Sequence, residues 1–168
     1  MLSGERGEES PQRAKYAVFE PDKADLRNGK SFFRHVDRFR PLRDWTEKQI
    51  WELIEKYRVR VHPCYYMGWS RCSCKWCIFG NKNQFAGAAK VSPEQGLELI
   101  RLEKEFNCTI KRKTDLAGLI QSGNAYQHIT PELIQLATGY DYNQPIIIPD
   151  TIPWILPAGA FGENCGAA

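Results

Sequence analysis

The chain has 168 residues, 42% hydrophobic and 26% charged, a globular composition that excludes intrinsic disorder and suits one domain of ordinary size. The formal net charge of +3 hides an asymmetry: every Lys and Arg lies at or before Lys113, so residues 1–114 carry +8 and residues 115–168 carry −5. No run reaches the ~18 apolar residues of a membrane span, and the first ten residues lack the apolar stretch of a signal peptide; this reading places the protein in the cytoplasm, with no membrane partner. The basic front part fits an anionic partner (nucleotide, sulfate, phosphate or nucleic acid) or an unevenly solvated surface.

Residues 1–16 read as a strand end or loop running into a short helix, with Ser10 as N-cap and Pro11 at the first helical position. Residues 17–43 are polar and basic without a clear period; Phe32, Phe33, Val36 and Phe39 suit one short strand or an ordered loop. Residues 44–57 give the clearest helix. Thr46 with Gln49, or Asp44 with Glu47, forms a capping box, and Ile50, Trp51, Ile54 and Tyr57 recur at helical spacing. A short strand is expected at 59–61, ended by His62-Pro63, because the residue before proline avoids the helical region.

Residues 64–91, rich in Cys, Gly and aromatics, read as a long loop region. Ser92-Pro93 with Gln95 opens a further helix whose inner face is Leu99, Leu102 and Phe106, with Ile100 beside it. A short helix is expected near 115–121. Another starts at Thr130-Pro131 and is ended by Gly139. The proline-punctuated apolar end reads as a tail laid across the body. This divides the chain into residues 1–91, a helical part 92–144 and a tail 145–168.

Six cysteines in a cytoplasmic chain point to metal or redox chemistry in preference to structural disulfides. Four of them, Cys64, Cys72, Cys74 and Cys77, fall within fourteen positions. Cys74 and Cys77 form a C-x-x-C pair, the spacing at which one turn of chain directs two sulfurs at one metal, and Cys72 and Cys64 complete a four-sulfur set. Soft thiolates suit an iron–sulfur cluster or, alternatively, zinc; a redox-active dithiol and inert buried cysteines are the competing readings. Arg71 and Lys75 would help stabilise thiolates. His62 is a further ligand candidate, read in preference as capping a strand end. Cys108 and Cys165 stand alone.

Taken in order, Gly4-x-Arg6-x-x-Glu9-Ser10-x-x-Arg13, Pro41-Leu42-x-Asp44-Trp45-Thr46-Glu47, Ile50-Trp51, His62-Pro63-x-Tyr65, Gly68 and Ser73-Cys74-x-x-Cys77-Ile78-Phe79 resemble phosphoadenosine phosphosulfate reductases and their sulfur-transfer relatives over about residues 1–80. The resemblance implies an α/β fold, the C-terminal part of an adenine-nucleotide α-hydrolase-like fold with a parallel sheet, helices and a Cys-rich loop region. It also implies that Arg6, Glu9, Ser10 and Arg13 lie near the sulfate or phosphate end of an adenine sulfonucleotide or ATP. Fork-shaped guanidinium groups suit oxyanions; for Arg6 and Arg13 the competing reading is an ion pair with Glu5, Glu8 or Glu9.

Two departures from the family pattern stand out. The Ser-Gly-Gly-x-Asp-Ser type nucleotide loop is missing, which leads us to expect a fragment, one half of a split protein working with a loop-bearing partner chain or as a homo-oligomer, or a variant without the loop. The assimilatory enzymes' adjacent cysteine pair is also missing, as is their C-terminal Glu-Cys-Gly-Leu-His-like nucleophile, of which Glu163-Asn164-Cys165-Gly166 is an echo. The cysteine pattern is closer to relatives in DNA phosphorothioation and to phage members, some of which hold an iron–sulfur cluster. The expected function is sulfonucleotide or sulfur-transfer chemistry, as an oxidoreductase or sulfurtransferase. The alternatives are a zinc-stabilised nucleic-acid-binding module, with Tyr65, Tyr66, Trp69 and Trp76 interleaved with cations, and a non-catalytic partner subunit.

Overall fold

The computed structural model describes residues 1–29 and 32–162. The chain divides into two units, Met1–Lys56 and Tyr57–Ala168.

In the first unit, Ser10 Oγ accepts from Arg13 N at 3.2 Å and starts a single 3-10 turn, Arg13–Lys15, where the sequence suggested a short helix. A second such turn, Gly7–Glu9, precedes it. Strands β1 (Phe19–Pro21) and β2 (Asp37–Phe39) pair antiparallel, with Phe19 opposite Phe39, and Leu2 bridges Phe39 from the other side in parallel. Of the residues read as one short strand or an ordered loop, Phe39 lies on β2, while Phe32 and Phe33 precede it and are exposed.

This ribbon is held by paired charges more than by apolar burial. Arg40 is 4% exposed. It donates from Nε to Glu5 at 2.6 Å and from Nη1 to Ala17 O at 2.8 Å, pairs with Glu20, and lies 4.7 Å from the centre of the Tyr16 ring. A guanidinium this enclosed needs such partners, because its desolvation cost is otherwise unmet. Helix α1 (Glu47–Lys56) then begins at the expected box: Gln49 N donates to Thr46 Oγ1 at 3.2 Å and Thr46 N to Gln49 Oε1 at 2.8 Å. Its Trp51 is buried.

The second unit is helical: α2 (Pro63–Met67), α3 (Lys82–Val91), α4 (Pro93–Phe106), α5 (Leu116–Ser122) and α6 (Pro131–Thr138). Two of these correct the expected 64–91 loop. Helix α2 is one short stretch with proline at its start and Gly68 at its end, where φ is +115°, a conformation glycine adopts without penalty. Helix α3 is opened by an Asn81–Gln84 capping box. It carries Phe85, 1% exposed, and packs against α5, whose Leu116 is 0% exposed. Met67, Val91 and Ile129 form the centre of the core, with Trp69, Tyr126, Leu133 and Ile134 packed around them. A Cβ at Gly87 would meet the Trp69 ring at 2.8 Å, so the α3 backbone and that indole are in direct contact.

Helices α5 and α6 start where expected, capped by Asp115 and Thr130. Phe106 is a correction: it is 69% exposed at the end of α4, not part of an inner face. The expected strand at 59–61 is reduced to one bridge, Val59 to Ile147. Through that bridge the apolar tail does lie across this unit. Arg60 N donates to Ile146 O at 2.7 Å, Ile148 N to Arg58 O at 2.9 Å, and Gly159 N to Tyr65 O at 2.8 Å. The architecture is mixed helix with a small sheet, compatible with an α/β class; among the described residues the sheet is the two-stranded antiparallel ribbon. No helix among the described residues is long and apolar enough to cross a membrane.

Candidate functional site

Helix α2 brings the first cysteine into place. His62 precedes it and its Nδ1 accepts from Cys64 N at 3.1 Å, so the imidazole caps a helix start instead of a strand end. Cys64 sits in the first turn. The chain leaves α2 at Gly68 and comes back over Trp69, where Cys72 N donates to Tyr65 Oη at 3.2 Å. That return places Cys72 beside Cys64. The Cys64 and Cys72 sulfurs and a His62 ring nitrogen lie within 4.8 Å of one another.

These three groups border a cavity of about 470 Å³, which Cys74 also lines together with Arg71 and Lys75. Cys77 lies against a smaller neighbouring hollow that Cys74 also borders. The four cysteines singled out by spacing are therefore divided. Cys64 and Cys72 are brought together, with His62 joining them; Cys74 is on the same wall; Cys77 is held by Arg71, whose Nη2 donates to its Sγ at 3.3 Å. Cys108 is exposed after α4, and Cys165, with the 163–166 echo, lies outside the described residues.

The electrostatics separate the sulfurs. Burial pushes the Cys64 thiol well above the ordinary range, and the neighbouring Cys72 adds to this, as desolvation and a second potential anion both oppose ionisation. Burial also pushes Cys77 up, but donation from the Phe79 backbone, Arg71 and Ser73 outweighs it and leaves the thiol below its usual value. Burial lowers the Lys75 ammonium.

The donor set fits a soft metal: two thiols and an imidazole converge, with a third thiol on the same wall, and such ligands suit zinc or iron–sulfur clusters. Ligation through Nδ1 would give up the helix cap. With Nδ1 accepting, the neutral ring carries its proton on Nε2. His62, read from the sequence as a strand-end cap and only secondarily as a ligand candidate, caps the start of α2 and lies beside the Cys64 and Cys72 sulfurs. The aromatics serve packing: Trp69 meets Tyr126 edge-on at 5.0 Å, and Trp76 lies 6.3 Å from Phe85 and against Gly96.

In the first unit, the residues expected near an anion are engaged with one another. Arg6 Nη1 donates to Glu8 at 3.1 Å, its Nε lies 3.6 Å from Glu9, and Arg13 pairs with Glu9. Glu8 in turn accepts from Glu47 N at 2.7 Å. Ser10 holds the Arg13 backbone.

Residues 1–79 match the family model of the phosphoadenosine phosphosulfate reductase domain. The chain is 34% identical over 95 residues to an uncharacterized 37.8 kDa protein of Escherichia phage 186, covering 56% of this chain and 26% of that protein. It is 30% identical over 76 residues to an adenosine 5′-phosphosulfate reductase of Burkholderia cepacia, covering 45% of this chain and 27% of the enzyme. It is 32% identical over 76 residues to an adenosine 5′-phosphosulfate reductase of Allochromatium vinosum, covering 45% and 26%. The chain spans about a quarter of the length of these curated relatives. No solved structure matches it. The resemblance to the phosphoadenosine phosphosulfate reductase family is thus shown for residues 1–79, a stretch that includes Cys64, Cys72, Cys74 and Cys77.

Proposed function

We propose that this chain is the C-terminal part of a sulfonucleotide-handling, sulfur-transfer protein of adenine-nucleotide α-hydrolase-like fold. In this reading Cys64, Cys72, Cys74 and Cys77 hold an iron–sulfur cluster, and Arg6, Glu9, Ser10 and Arg13 receive the sulfate or phosphate end of an adenine sulfonucleotide. The observation that carries the reading is the convergence of Cys64 and Cys72 with His62 on one cavity wall with Cys74, inside the stretch that matches the reductase domain. Cys77 joins this set if its sulfur exchanges the Arg71 donor for a metal; Cys74 borders both the cavity and the smaller hollow against which Cys77 lies. The group would supply electrons or a site for sulfur, while Arg71 and Lys75 hold positive charge beside the sulfurs. Arg6 and Arg13 are already oriented by Glu8 and Glu9, so an incoming oxyanion competes with those carboxylates.

The protein would work in the cytoplasm with a chain that carries the nucleotide loop, or as a homo-oligomer. A second reading, a zinc-stabilised module for nucleic acid, is favoured by the imidazole in the group, since mixed Cys and His ligands suit zinc. Equilibrium dialysis against adenosine 5′-phosphosulfate, with adenosine 5′-monophosphate as control, tests the first reading. Preferential retention of the phosphosulfate, weakened in Arg6→Ala and Arg13→Ala, is expected. Equal retention of the two nucleotides would remove the sulfonucleotide and leave the zinc module.

A further inference from the structure

C-x-x-C spacing marks Cys74 and Cys77 as the thiols expected to oxidise together, but the structure brings a different pair to one place. The Cys64 and Cys72 sulfurs lie within 4.8 Å of each other and share a side-chain hydrogen bond. Cys77 is engaged elsewhere: its sulfur takes hydrogen bonds from the Phe79 amide, Arg71 and Ser73.

The Cys64–Cys72 pair is held in place before any bond forms. Cys64 N donates to His62 Nδ1 at 3.1 Å and Cys72 N to Tyr65 Oη at 3.2 Å, so both amides are tied to α2 or to the residue that caps it. The fold has thereby met much of the entropy cost of closing the 64–72 loop, which raises the effective concentration of one thiol at the other. Cys72 is exposed and Cys64 half-buried. A small oxidant in solution reaches Cys72 first, and Cys64 stands beside it to displace the leaving group.

We infer that in the metal-free chain Cys64 and Cys72 form a disulfide by exchange with a low-molecular-weight disulfide such as oxidised glutathione, and that this bond closes the cysteine site to metal. The Cys72 thiolate attacks one sulfur of the reagent and releases one glutathione. The Cys64 thiolate then attacks the Cys72 sulfur of the mixed disulfide and releases the second. One S–S bond forms in the protein and one is lost from the reagent, whose two thiols take up the two protons. Burial opposes the Cys64 thiolate, so the second step is the slower one. A metal needs these sulfurs as thiolates, so oxidation and occupancy exclude each other there. The pairing rests on geometry alone; that it closes a metal site rests on the function proposed above.

The test equilibrates the full chain, stripped with a chelator, against anaerobic mixtures of reduced and oxidised glutathione, then quenches with acid, alkylates and digests with trypsin. Cleavage after Arg71 and Lys75 leaves Cys64 on 61–71, Cys72 and Cys74 on 72–75, and Cys77 on 76–82. Mass spectrometry is expected to find 61–71 joined to 72–75 through Cys72, at a lower proportion of oxidised glutathione than any link to 76–82. Tyr65→Phe, which removes the hydroxyl on the Cys72 amide, is expected to need several-fold more oxidised glutathione, with circular dichroism showing that its helices are kept. The oxidised chain is expected to bind zinc about tenfold or more weakly than the reduced one and to recover with dithiothreitol. A Cys74–Cys77 link forming first, or glutathione accumulating on Cys72 with no link to Cys64, would overturn the pairing. A Cys64–Cys72 link that leaves zinc affinity unchanged would overturn the closing of the site. The same link in a chain that binds no metal even when reduced would keep the disulfide and remove the metal centre proposed above.

Discussion

Arg71 Nη2 donates to Cys77 Sγ at 3.3 Å, while Cys64 faces Cys72 with no cation on its sulfur among the bonds described. The two ends of the cysteine set therefore differ in chemistry. Burial and the neighbouring sulfur push Cys64 up. Burial pushes Cys77 up too, but the Phe79 amide, Arg71 and Ser73 bring it below its usual value. Since the thiolate is the nucleophile, Cys77 is expected to react with iodoacetamide several-fold faster than Cys64 in reduced, chelator-treated protein near neutral pH. Arg71→Met is expected to slow Cys77 and leave Cys64 unchanged. Peptide mass mapping over time checks this, and a Cys64 label appearing first would contradict the assignment.

The ribbon unit should be acid-sensitive. The Arg40 side chain holds Glu5 below the usual carboxylate range; the Ala24 amide and then Arg38 do so for Asp22; Arg27 and then the Val36 amide do so for Asp25. Carboxyls depressed in the folded state contribute stability that is fully present above their unfolded values, about 4, and is lost as pH falls through the folded ones. Amide resonances of residues 19–29 and 32–39 are thus expected to hold from pH 7 to about 5 and to shift and broaden below about 4. In Glu5→Gln the loss is expected to begin from an already weaker ribbon. Resonances that stay sharp to pH 2 in both proteins would show that these pairs do not stabilise the unit.

Where local chemistry set the structure, the sequence was informative. The Thr46–Gln49 box, the Asp115 and Thr130 caps and the tail crossing residues 58–65 each depend on signals a few residues long or on an apolar run. Helix α3 escaped notice because its buried residues, Gln84, Phe85, Ala86, Gly87, Ala88 and Val91, are mostly small and show no helical apolar spacing. Those small residues read as loop until the Trp69 ring is seen lying on Gly87. One signal could have found it: Asn81 and Gln84 stand at capping-box spacing. Spacing also named four cysteines without saying how the chain would group them. The turn at Gly68 and the Tyr65 hydroxyl return Cys72 to Cys64, and Arg71 draws Cys77 aside. Neither is visible from cysteine spacing.

Leu116 couples α5 to the rest of the second unit from a fully enclosed position, 0% exposed. Leu116→Ala removes buried methyl groups and leaves a cavity, which costs about 2–5 kcal/mol. Urea unfolding followed by circular dichroism should show a midpoint lowered with little change in slope. A loss below about 0.5 kcal/mol, the scale of a surface substitution, would mean that α5 is not packed as described.

In the function proposed above, Cys64 and Cys72 anchor a sulfur-ligated metal centre. Anaerobic purification followed by iron, zinc and acid-labile sulfide analysis and a visible spectrum decides whether they do. Iron and sulfide in stoichiometric amounts with a broad brown absorbance are expected, both lost in the Cys64→Ser, Cys72→Ser double variant while the circular dichroism of the helices is kept. A colourless chain with no bound metal, before and after anaerobic incubation with iron and sulfide, would contradict it.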